Sequence, residues 1–374
     1  MNEIGIGVIG TGYMGACHAQ AMAAVGHVFE PPLRPRLVAV ADVDARSAEA
    51  ARARFDFARA TDDWHELVAD PDVAVVSITA PNILHKPMAL AALAAGKHVW
   101  CEKPMALTAA DAREMRDAAR AAGVTTLVGY NYVRSPALAL ARKLVEEGEL
   151  GRITQFRAIF DEDYMGRADF PYGWRVQRKL AGSGVLGDMG SHAINLAHFL
   201  VGPIGEVAAG TYTAHAERAD EKGRMLPVEN EDVIEALVRF ETGVVGHIGA
   251  SRIAFGRKNG LDLELYGTKG GLRFTQERFN ELQLFKTAER SDDNGFRTIL
   301  TGPPHPPFGR FTPGWGHGLG FNDLKVIEAA HLLDAIAGRS RAWPDFEEGA
   351  RVEAVCDAIE TSVTERRWTR VHTT

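Results

Sequence analysis

A charged pair, Glu102 and Lys103, directly follows the apolar run from His98 to Cys101, and Pro104 comes next. An apolar run of this length is typical of a short buried strand, and charges at its end are costly to bury unless they are paired or in use. In an open α/β sheet, ligands bind beyond the carboxyl ends of the strands. Lys103 is therefore placed for ligand chemistry, although the pair alone is equally compatible with a surface salt bridge that caps the strand.

A second candidate site lies in the glycine-rich stretch from Gly182 to His192. Asp188 and His192 are four residues apart, so on a helix their side chains share a face, which Asn195 continues. A carboxylate beside a histidine orients the ring and raises its basicity, as a general base requires. The alternative is that Asp188 only suits the positive end of a helix dipole, with His192 a solvated neighbour.

The third candidate is the glycine-rich segment Gly10-Thr-Gly12-Tyr-Met-Gly15, which follows a predicted strand and opens a predicted helix. In that context Gly10 permits a tight turn, Gly12 lets the backbone approach a pyrophosphate, and Gly15 lets helix and strand pack closely. The free N–H groups of the helix N-terminus attract phosphates. We therefore predict a dinucleotide site here rather than a glycine-rich turn without a ligand.

An acidic residue at the end of the second strand, Asp42, supports this prediction. Its carboxylate would bind the adenosine ribose hydroxyls and repel a 2′-phosphate. Asp44 adds negative charge nearby, whereas Arg46 is able to accept such a phosphate. The sequence therefore favours NAD and leaves NADP possible. The interval from Gly15 to Asp42 exceeds the usual ~20 residues, which we attribute to a proline-rich loop insertion.

The elements that would position these residues alternate between apolar strands and alanine-rich helices over the first 130 residues. Strands are predicted at Ile4–Ile9, Arg36–Ala41, Val73–Thr79, Lys97–Cys101 and Val124–Gly129, helices at Leu84–Ala95 and from Thr108 to Gly123, and a helix-free loop around Pro31, Pro32 and Pro35. Such alternation predicts an α/β fold with a doubly wound parallel sheet, the Rossmann arrangement.

The pattern changes in the second part of the chain, where apolar and polar residues alternate. Strands are predicted at Val233–Phe240, Gly243–Ser251, Leu261–Tyr266 and Leu282–Lys286, helices from Ser135-Pro136 to near Gly148 and at Leu186–Val201, Asn322–Ala337 and Phe346–Arg366, and an irregular loop at Gly302–Gly320. This predicts a C-terminal α+β domain with a large, mainly antiparallel, open-faced sheet. We expect residues 1–130 to form the nucleotide-binding domain and residues 131–374 the substrate-binding domain, one helix of which can pack back on the first.

Composition narrows the functional classes. The chain has 374 residues, 46% of them hydrophobic, and a formal net charge of −7, which disfavours nucleic acid or an anionic membrane as a partner. Cys17, Cys101 and Cys356 form no CxxC pair, so we predict no metal site and a reducing compartment. The N-terminus leads straight into a strand without a signal peptide, and no apolar run is long enough to cross a membrane, so we expect a cytoplasmic protein.

Four motifs in this order resemble the Gfo/Idh/MocA oxidoreductases, the family of glucose–fructose oxidoreductase and inositol dehydrogenase. They are Gly10-x-Gly12-x-x-Gly15, Thr79-x-Pro81-Asn82-x-x-His85, Glu102-Lys103-Pro104 and Asp188-x-x-x-His192. The resemblance covers essentially the whole chain. Within the family, Gly256-Arg-Lys-Asn259, Gly267-Thr-Lys-Gly270 and the loop from Gly316 to Asn322 look like bacterial inositol and sugar dehydrogenases, levoglucosan dehydrogenases among them.

The resemblance implies roles for individual residues. Lys103 would hold the reacting hydroxyl oxygen, His192 would take its proton, and Asp188 would orient ring and substrate. It also implies a cis peptide bond before Pro104, and an acid is frequent in the family where this chain has Asn195. The complete predicted cofactor-binding set is Gly10, Gly12, Tyr13, Met14, Asp42, Val43, Thr79, Pro81, Asn82, His85, Glu102, Lys103 and Asn131.

Tyr132, Trp174 and Arg175 are predicted to bind substrate with Lys103, Asp188, His192 and Asn195. Aromatic rings pack on sugar C–H faces and arginine binds hydroxyls, although Tyr132 and Trp174 are equally suited to a core or an interface. We therefore expect an NAD-dependent dehydrogenase that oxidises a secondary hydroxyl of a cyclic polyol or sugar. The alternatives are an NAD-retaining glycosidase of the same fold and a non-catalytic NAD-sensing regulator.

The open face of the C-terminal sheet bears on assembly. Alternating strands are expected to leave one face apolar, and a few helices cannot cover both faces of a wide sheet. Burial of that face against another subunit is the simplest solution. We therefore predict a homo-oligomer, a dimer or a tetramer, built through this sheet.

Overall fold

The computed structural model describes residues 2–287, 292 and 294–372. The chain divides into two compact units. The first runs to Asn131 and includes Leu319–Arg351, and the second comprises Tyr132–Gly318 and the chain from Val352 onward. The division after Asn131 lies one residue from the predicted domain boundary, and residues 319–351 group with the first unit.

The first unit contains a six-stranded parallel sheet. Its strands are β1 (Asn2–Ile9), β2 (Leu33–Ala41), β3 (Arg59–Thr61), β4 (Val75–Ile78), β5 (His98–Cys101) and β6 (Thr126–Val128). They pair in the order β3-β2-β1-β4-β5-β6, every pair parallel. The chain starts at β1 in the interior of the sheet and winds outward in both directions, which confirms the doubly wound prediction.

Helices lie in many of the connections between strands. They are α1 (Tyr13–Val28), α2 (Ala45–Phe55), α3 (Trp64–Ala69), α4 (His85–Ala94), α5 (Ala109–Ala122), α6 (Pro136–Glu146), α7 (Arg178–Ala181), α8 (Ser191–Leu200), α9 (Phe321–Ile336) and α10 (Phe346–Glu365), whose residues are divided between the two units. Thr108 caps α5 through its side chain, which accepts a hydrogen bond from the backbone N–H of Asp111, and Gly123 ends that helix with φ +65°. Both ends were predicted.

The predicted proline-rich loop is wrong at Pro35. This residue lies inside β2, where it pairs with Ile4 of β1. At that position β2 has a neighbour on one side only, because β3 pairs no further back than Ala39. A proline, which lacks an N–H donor, is tolerated where one edge of a strand is unpaired. The loop before β2 is therefore shorter than expected.

The second unit contains a nine-stranded sheet and a separate two-stranded ribbon. The strands are β7 (Ile153–Glu162), β8 (Ile204–Tyr212), β9 (Glu217–Ala219), β10 (Met225–Pro227), β11 (Val233–Phe240), β12 (Val245–Ser251), β13 (Lys258–Gly267), β14 (Gly270–Thr275), β15 (Glu281–Lys286), β16 (Arg297–Leu300) and β17 (Thr369–Arg370). The large sheet has the order β16-β15-β14-β13-β7-β12-β11-β8-β17. The pairing of β7 with β12 is parallel and the other pairings are antiparallel, so the predicted sheet type is confirmed.

One face of this sheet is packed and the other is open. Along β11, Ile234, Ala236 and Val238 are buried and alternate with exposed residues. The apolar face packs against α8, which contacts β7 and β12. The open face carries exposed Leu237 between charged neighbours, so it is mixed in character, and our expectation of an uncovered apolar face is wrong. The helices of the unit already bury the apolar side.

The stretch Gly302–Gly320, predicted as an irregular loop, consists of turns and irregular backbone apart from a short 3₁₀ helix at Phe308–Arg310. Throughout residues 2–287, 292 and 294–372, no helix combines the length and the apolar composition needed to cross a membrane.

Candidate active site

The glycine-rich turn after β1 has the geometry predicted for a nucleotide loop. Gly10 adopts φ +95°, a conformation that a side chain would strain. A Cβ atom at Gly15 would lie 2.0 Å from the carbonyl oxygen of Gly10, so helix and turn can approach only because Gly15 has no side chain. A Cβ atom at Gly12 would meet no atom within 4 Å, which leaves open space at that point of the turn.

The first backbone N–H groups of α1 donate no hydrogen bond to a capping side chain. Gly12 is the residue before the helix, no side chain caps it, and the first turn contains no acidic residue. Tyr13 is 70% exposed and stacks on Phe321 with ring centroids 6.0 Å apart, and Met14 is half-buried. The first N–H groups of a helix carry partial positive charge and attract an anion. The turn therefore fits a pyrophosphate.

The carboxylate of Asp42 is fixed against the same turn. Its Oδ2 accepts hydrogen bonds from the backbone N–H of Thr11 at 2.8 Å and from the Thr11 hydroxyl at 2.6 Å. A carboxylate offers about four lone-pair positions, so acceptor capacity remains for ribose hydroxyls. Val43, next to it, is 94% exposed.

Asp44 and Arg46 belong to the start of α2. The Asp44 side chain accepts hydrogen bonds from the backbone N–H groups of Arg46 and Ser47 and from the Ser47 hydroxyl. The hydroxyl bond and these N–H groups lower the pKa of Asp44. Its negative charge therefore stays near Asp42, and the Arg46 side chain is exposed.

Thr79, Pro81, Asn82 and His85 follow β4. The Thr79 hydroxyl donates to the carbonyl oxygens of Ile9 and Gly10, which ties this segment to the turn. Pro81 is exposed and Asn82 is half-buried. These two residues are accessible, as contact with a cofactor requires, and that contact remains a prediction.

His85 is buried, and both of its ring nitrogens lie close to main-chain carbonyl oxygens; its contact with a cofactor stays a prediction. Its side chain is 1% exposed, Nδ1 lies 2.8 Å from the Pro104 carbonyl oxygen, and Nε2 lies 2.8 Å from that of Ala80. Burial lowers its pKa, against the opposing effect of the two carbonyl groups. His85 thus joins the segment after β4 to the one after β5. The peptide bond between Lys103 and Pro104 is cis, as predicted.

Glu102 lies in a buried cluster of charged side chains. Its Oε1 lies 2.6 Å from Nζ of Lys325 and 3.0 Å from Nε2 of His18. Lys325 Nζ also donates to Glu328 Oε2 at 2.9 Å. The four side chains are between 0% and 6% exposed. Because the Lys325 ammonium lies between two carboxylates and the His18 ring donates to one of them, the cluster is stable where a single buried charge would not be.

The electrostatics of this cluster follow from burial and pairing. Burial alone would raise the pKa of Glu102, but the Lys325 ammonium and the hydrogen bond from His18 hold it well below its ordinary range. Burial lowers the pKa of His18 to about 4, with Lys325 adding to the effect. A neutral His18 donates from Nε2 to Glu102 and accepts at Nδ1 from the Ser77 hydroxyl, 2.7 Å away.

This cluster corrects the role expected for Glu102. The sequence predicts a cofactor contact, whereas the carboxylate is 5% exposed, pairs with the Lys325 ammonium and accepts a hydrogen bond from His18. Its Oε2 accepts from the backbone N–H of Lys103 at 3.2 Å, so it fixes the main chain of the candidate catalytic lysine, whose side chain is half-buried. One feature of the sequence could have indicated that Lys325 and Glu328 are partners in this cluster. They lie three residues apart in the largely apolar helix α9, a spacing that brings two side chains together.

Asn131 adds a polar group to the first unit. Its side chain is 2% exposed, and Nδ2 has no hydrogen-bond acceptor among the residues that the structure describes. A buried donor without an acceptor is costly, so a bound ligand would satisfy it. Together with the open turn and Asp42, this orphan amide shows that the residues of the first unit fit a dinucleotide.

In the second unit, Asp188 lies in a wide π-helical turn, Leu186–Gly190, that precedes α8. The sequence predicts one regular helix here, so the exact four-residue register between Asp188 and His192 does not apply. Such π-turns are frequent at functional sites. Oδ2 of Asp188 accepts a hydrogen bond from the Tyr164 hydroxyl at 2.8 Å. Burial and the Asp188 charge raise the pKa of Tyr164, which therefore remains a donor.

His192 is surrounded by aromatic rings. Its side chain is 5% exposed. The centroid of its ring lies 4.5 Å from that of Tyr132 and 5.9 Å from that of Phe160. The Tyr132 hydroxyl donates to Oδ1 of Asn259 at 3.1 Å. Asn195 is 1% exposed, so the polar face of α8 is buried and not solvated as the alternative interpretation requires. An apolar shell of this kind strengthens electrostatic interactions at the imidazole.

Trp174 and Arg175 form a short turn, Trp174–Val176, on the surface of the same unit. The guanidinium carbon of Arg175 lies 4.5 Å from the centroid of the Trp174 ring. Trp174 is half-buried and Arg175 exposed, so both side chains are accessible to a ligand. Tyr164 is the site residue that the sequence does not reveal, because nothing in its local pattern distinguishes it from other tyrosines at strand ends.

No group of three or more His, Cys, Asp or Glu side chains within the described part of the chain is arranged to hold a metal ion. The three cysteines are buried and form no disulfide bond.

Comparisons with known proteins agree with this geometry. Residues 4–130 match the oxidoreductase family with an NAD-binding Rossmann fold, and residues 138–273 match the GFO/IDH/MocA C-terminal domain. Levoglucosan dehydrogenase of Pseudarthrobacter phenanthrenivorans is 38% identical over 99% of each chain. The solved structure of levoglucosan dehydrogenase in complex with NADH and levoglucosan superimposes with a TM-score of 0.96, at 38% identity, over 100% of both chains.

A second solved structure, an NAD binding oxidoreductase from Klebsiella pneumoniae, has 42% identity and a TM-score of 0.95 over 99% of each chain. Full-length similarity at this level, with both domains matched, shows common family membership. The chain therefore belongs to the Gfo/Idh/MocA family and is an NAD-dependent oxidoreductase.

Proposed function

We propose that this protein oxidises a secondary hydroxyl of a cyclic sugar, anhydrosugar or polyol to the ketone or lactone, with NAD as the hydride acceptor. The observation that carries the proposal is the full-length similarity to levoglucosan dehydrogenase, seen with NADH and levoglucosan. It is accompanied by Lys103 after β5 and by Asp188 and His192 at the start of α8. Among the possible substrates, an anhydrosugar such as levoglucosan is the first to test.

The reaction removes a hydride and a proton from one carbinol group. NAD supplies the acceptor for the hydride, so the protein must position the substrate and handle the proton. We assign Lys103 to the hydroxyl oxygen, where an ammonium stabilises the negative charge that develops as the O–H bond breaks. His192 takes the proton as general base, which contributes roughly 10²–10⁴-fold. Asp188 orients the ring and the substrate.

Residues of the first unit would hold the cofactor. The turn Gly10–Gly15 receives the pyrophosphate, Asp42 the adenosine ribose, and Asn131 a carbonyl group through its unpaired Nδ2. The negative charges of Asp42 and Asp44 would repel the 2′-phosphate of NADP if Asp42 binds the adenosine ribose, which supports NAD as the cofactor. Tyr13, Met14, Val43, Thr79, Pro81 and Asn82 complete the proposed cofactor set.

Substrate contacts are assigned to Tyr132, Trp174 and Arg175. Aromatic surface next to a single exposed guanidinium suits a neutral ring with several hydroxyl groups. Asn195, three residues after His192 on α8, is as deeply buried as His192 and stays in the proposed substrate set. The NAD-retaining glycosidase and the NAD-sensing regulator are not favoured, because several relatives are named as dehydrogenases. A non-catalytic regulator would also be expected to lack the lysine or the histidine, and this chain has both Lys103 and His192.

We further propose that the protein forms a homo-oligomer, a dimer or a tetramer, through the open face of the large sheet. Leu237 is 55% exposed and Val245 is 51% exposed on adjacent strands of this sheet. They lie near the Arg239–Glu206 ion pair and the His247–Glu235 hydrogen bond, a mixture of apolar and polar groups typical of subunit interfaces. Light scattering would report a multimer for the native protein and a smaller species for Leu237→Glu; a native monomer at micromolar concentration refutes this assembly.

A cytoplasmic location is part of the proposal, because three buried cysteines without a disulfide suit a reducing compartment. Cell fractionation tests it: recovery of the protein with secreted material would contradict it.

The decisive experiment on function is a substrate screen. Purified protein is incubated with levoglucosan and other anhydrosugars, aldoses and inositols in the presence of NAD or NADP, and NADH absorbance is followed. We expect turnover with at least one neutral cyclic polyol and preference for NAD. Release of sugar from glycosides without net NADH formation would indicate the glycosidase instead.

A further inference from the structure

Three consecutive buried residues, Asn230, Glu231 and Asp232, lie just before β11 and are called here the 230–232 junction. They are 3%, 8% and 0% exposed. Polar groups at that depth are retained only with partners. Among the partners of Asn230 and Glu231 are main-chain groups of the two segments of the second unit that carry Trp174, Arg175 and Asp188.

On one side, the junction holds the turn that carries Trp174 and Arg175. Nδ2 of Asn230 donates to the Arg175 carbonyl oxygen at 2.9 Å. The amide can donate in that direction because its Oδ1 accepts from Nη2 of Arg252, also at 2.9 Å. The buried guanidinium of Arg252 is in turn held by Oδ1 of Asp232 at 2.8 Å. The main chain of the turn is thus fixed by a three-residue polar network.

On the other side, the junction holds the π-helical turn that carries Asp188. Oε1 of Glu231 accepts from the backbone N–H of Leu186, the first residue of that turn, at 3.0 Å. The Glu231 carbonyl oxygen accepts from the N–H of Val185 at 3.1 Å. A Cβ atom at Gly184 would lie 2.1 Å from the Glu231 carbonyl oxygen, so the two segments pack without space for a side chain. Glu231 caps the helix from a distant part of the chain.

We propose that the 230–232 junction positions both halves of the substrate site in this unit. Asn230 sets the turn that presents Arg175 to the sugar, and Glu231 sets the segment that presents Asp188. Neither residue touches the substrate, so both are positioning residues. The inference rests on the proposed function, because it assigns these contacts to sugar oxidation.

Two adjacent residues should therefore affect different kinetic constants. Loss of the Asn230 donor loosens a binding contact made equally in the ground and transition states, which raises the sugar KM and leaves kcat nearly unchanged. Loss of the Glu231 acceptor displaces Asp188 and the helix that carries His192, which lowers kcat. Neither change reaches the cofactor residues of the first unit, so the KM for NAD should stay constant.

The test compares isosteric variants in steady-state kinetics with a sugar that the native protein oxidises. Asn230→Asp keeps the acceptor for Arg252 and replaces the donor to the Arg175 carbonyl oxygen with a carboxylate oxygen, which cannot donate; we expect the sugar KM to rise at least about 3- to 10-fold, the effect of one lost hydrogen bond. Glu231→Met should lower kcat at least about tenfold, whereas Glu231→Gln, which keeps an acceptor oxygen, should stay within about threefold of native kcat.

Ser362→Ala is the matched control, because Ser362 is a buried polar residue of the same unit whose side chain hydrogen-bonds Ala209 and Arg367, which belong to neither segment. Its kinetics should equal those of the native protein. An unchanged sugar KM in Asn230→Asp, or equal losses in sugar KM, NAD KM and kcat across all variants, would overturn the inference while the dehydrogenase activity stands. Should Glu231→Met be insoluble, Asn230→Asp and Glu231→Gln still decide the question. A native protein inactive on every sugar would instead refute the proposed function, and the inference with it.

Discussion

The hydroxyl oxygen of Tyr164 lies 2.8 Å from Oδ2 of Asp188. Tyr164 comes from the segment after β7, and Asp188 from the turn before α8. The segment after Tyr164 is anchored by Arg218, whose buried guanidinium donates to the carbonyl oxygens of Met165 and Arg167. The orientation of the carboxylate thus depends on a residue that the sequence motifs do not contain.

Tyr164→Phe should lower turnover. The substitution removes the donor that holds Asp188, and loss of one such hydrogen bond to a charged group amounts to about 1.5–3 kcal/mol, so we expect kcat to fall roughly 10- to 100-fold. Steady-state kinetics at saturating sugar and NAD measure the effect. Tyr172→Phe is the control, because the Tyr172 hydroxyl has no hydrogen-bond partner in the described part of the chain. Equal kcat values for the two variants would show that Tyr164 does not position Asp188.

Lys325→Met should destabilise the protein strongly. It leaves Glu102 and Glu328 buried with no cation between them, and breaking a buried ion pair on one side costs about 3–5 kcal/mol. Lys86→Met is the matched control: Lys86 pairs with two carboxylates, Asp111 and Glu114, but is 30% exposed, so we expect less than about 1 kcal/mol. Urea unfolding compares the two. A similar loss in both would mean that the buried cluster contributes no more than a surface pair.

Stability should fall on acidification through this cluster. The pKa of His18 is held at about 4 in the folded protein, below its ordinary value, so the unfolded chain binds the proton first as the pH drops. The contribution of neutral His18 to the free energy of unfolding is fully present above about pH 6.5. It is lost progressively as the pH falls to about 4, by roughly 3 kcal/mol in total. Glu102, whose pKa is also lowered, loses its contribution at more acid pH. His18→Gln should flatten the slope between pH 6.5 and 4 in urea unfolding; an unchanged slope excludes His18 as its source.

Asp42→Ser should shift cofactor preference. The variant removes the negative charge beside the turn and with it the repulsion of a 2′-phosphate, while a hydroxyl remains to pair with Thr11. Because like-charge juxtaposition costs several kcal/mol, the ratio of kcat/KM for NADP to that for NAD should rise at least about tenfold. Asp63→Ser, at the N-terminus of α3, removes an exposed capping carboxylate of the same unit and should leave the ratio unchanged. A constant ratio in Asp42→Ser would show that another residue selects the cofactor.

The nucleotide-binding unit is largely predictable, because its strands are continuous apolar runs and its turn needs glycines at fixed positions. Gly10 and Gly15 have the conformations their spacing implies. What local pattern cannot show is partnership across long separations. The family resemblance implies a cofactor role for Glu102, whereas its ion pair with Lys325, more than two hundred residues later, has no signal in the sequence around Glu102. Helices α2 and α3 were missed because they are short and bury few residues.

The substrate unit is less predictable for a related reason. The alternation in β11 and β13 indicates strands but not their partners, and the parallel pairing of β7 with β12 has no local signal. The π-turn at Leu186–Gly190 depends on contacts from Glu231 and Tyr164, so a local pattern predicts an ordinary helix instead.

The central claim is that Lys103 and His192 serve hydride transfer from a sugar carbon to NAD. It is tested most directly with a cyclic sugar deuterated at the oxidised carbon, with the nicotinamide product analysed by NMR. The account predicts deuterium at the reduced nicotinamide ring for the native protein, and for Lys103→Met and His192→Asn a rate at least about 100-fold lower with NAD binding retained. Unlabelled NADH, or near-native turnover in either variant, would contradict it.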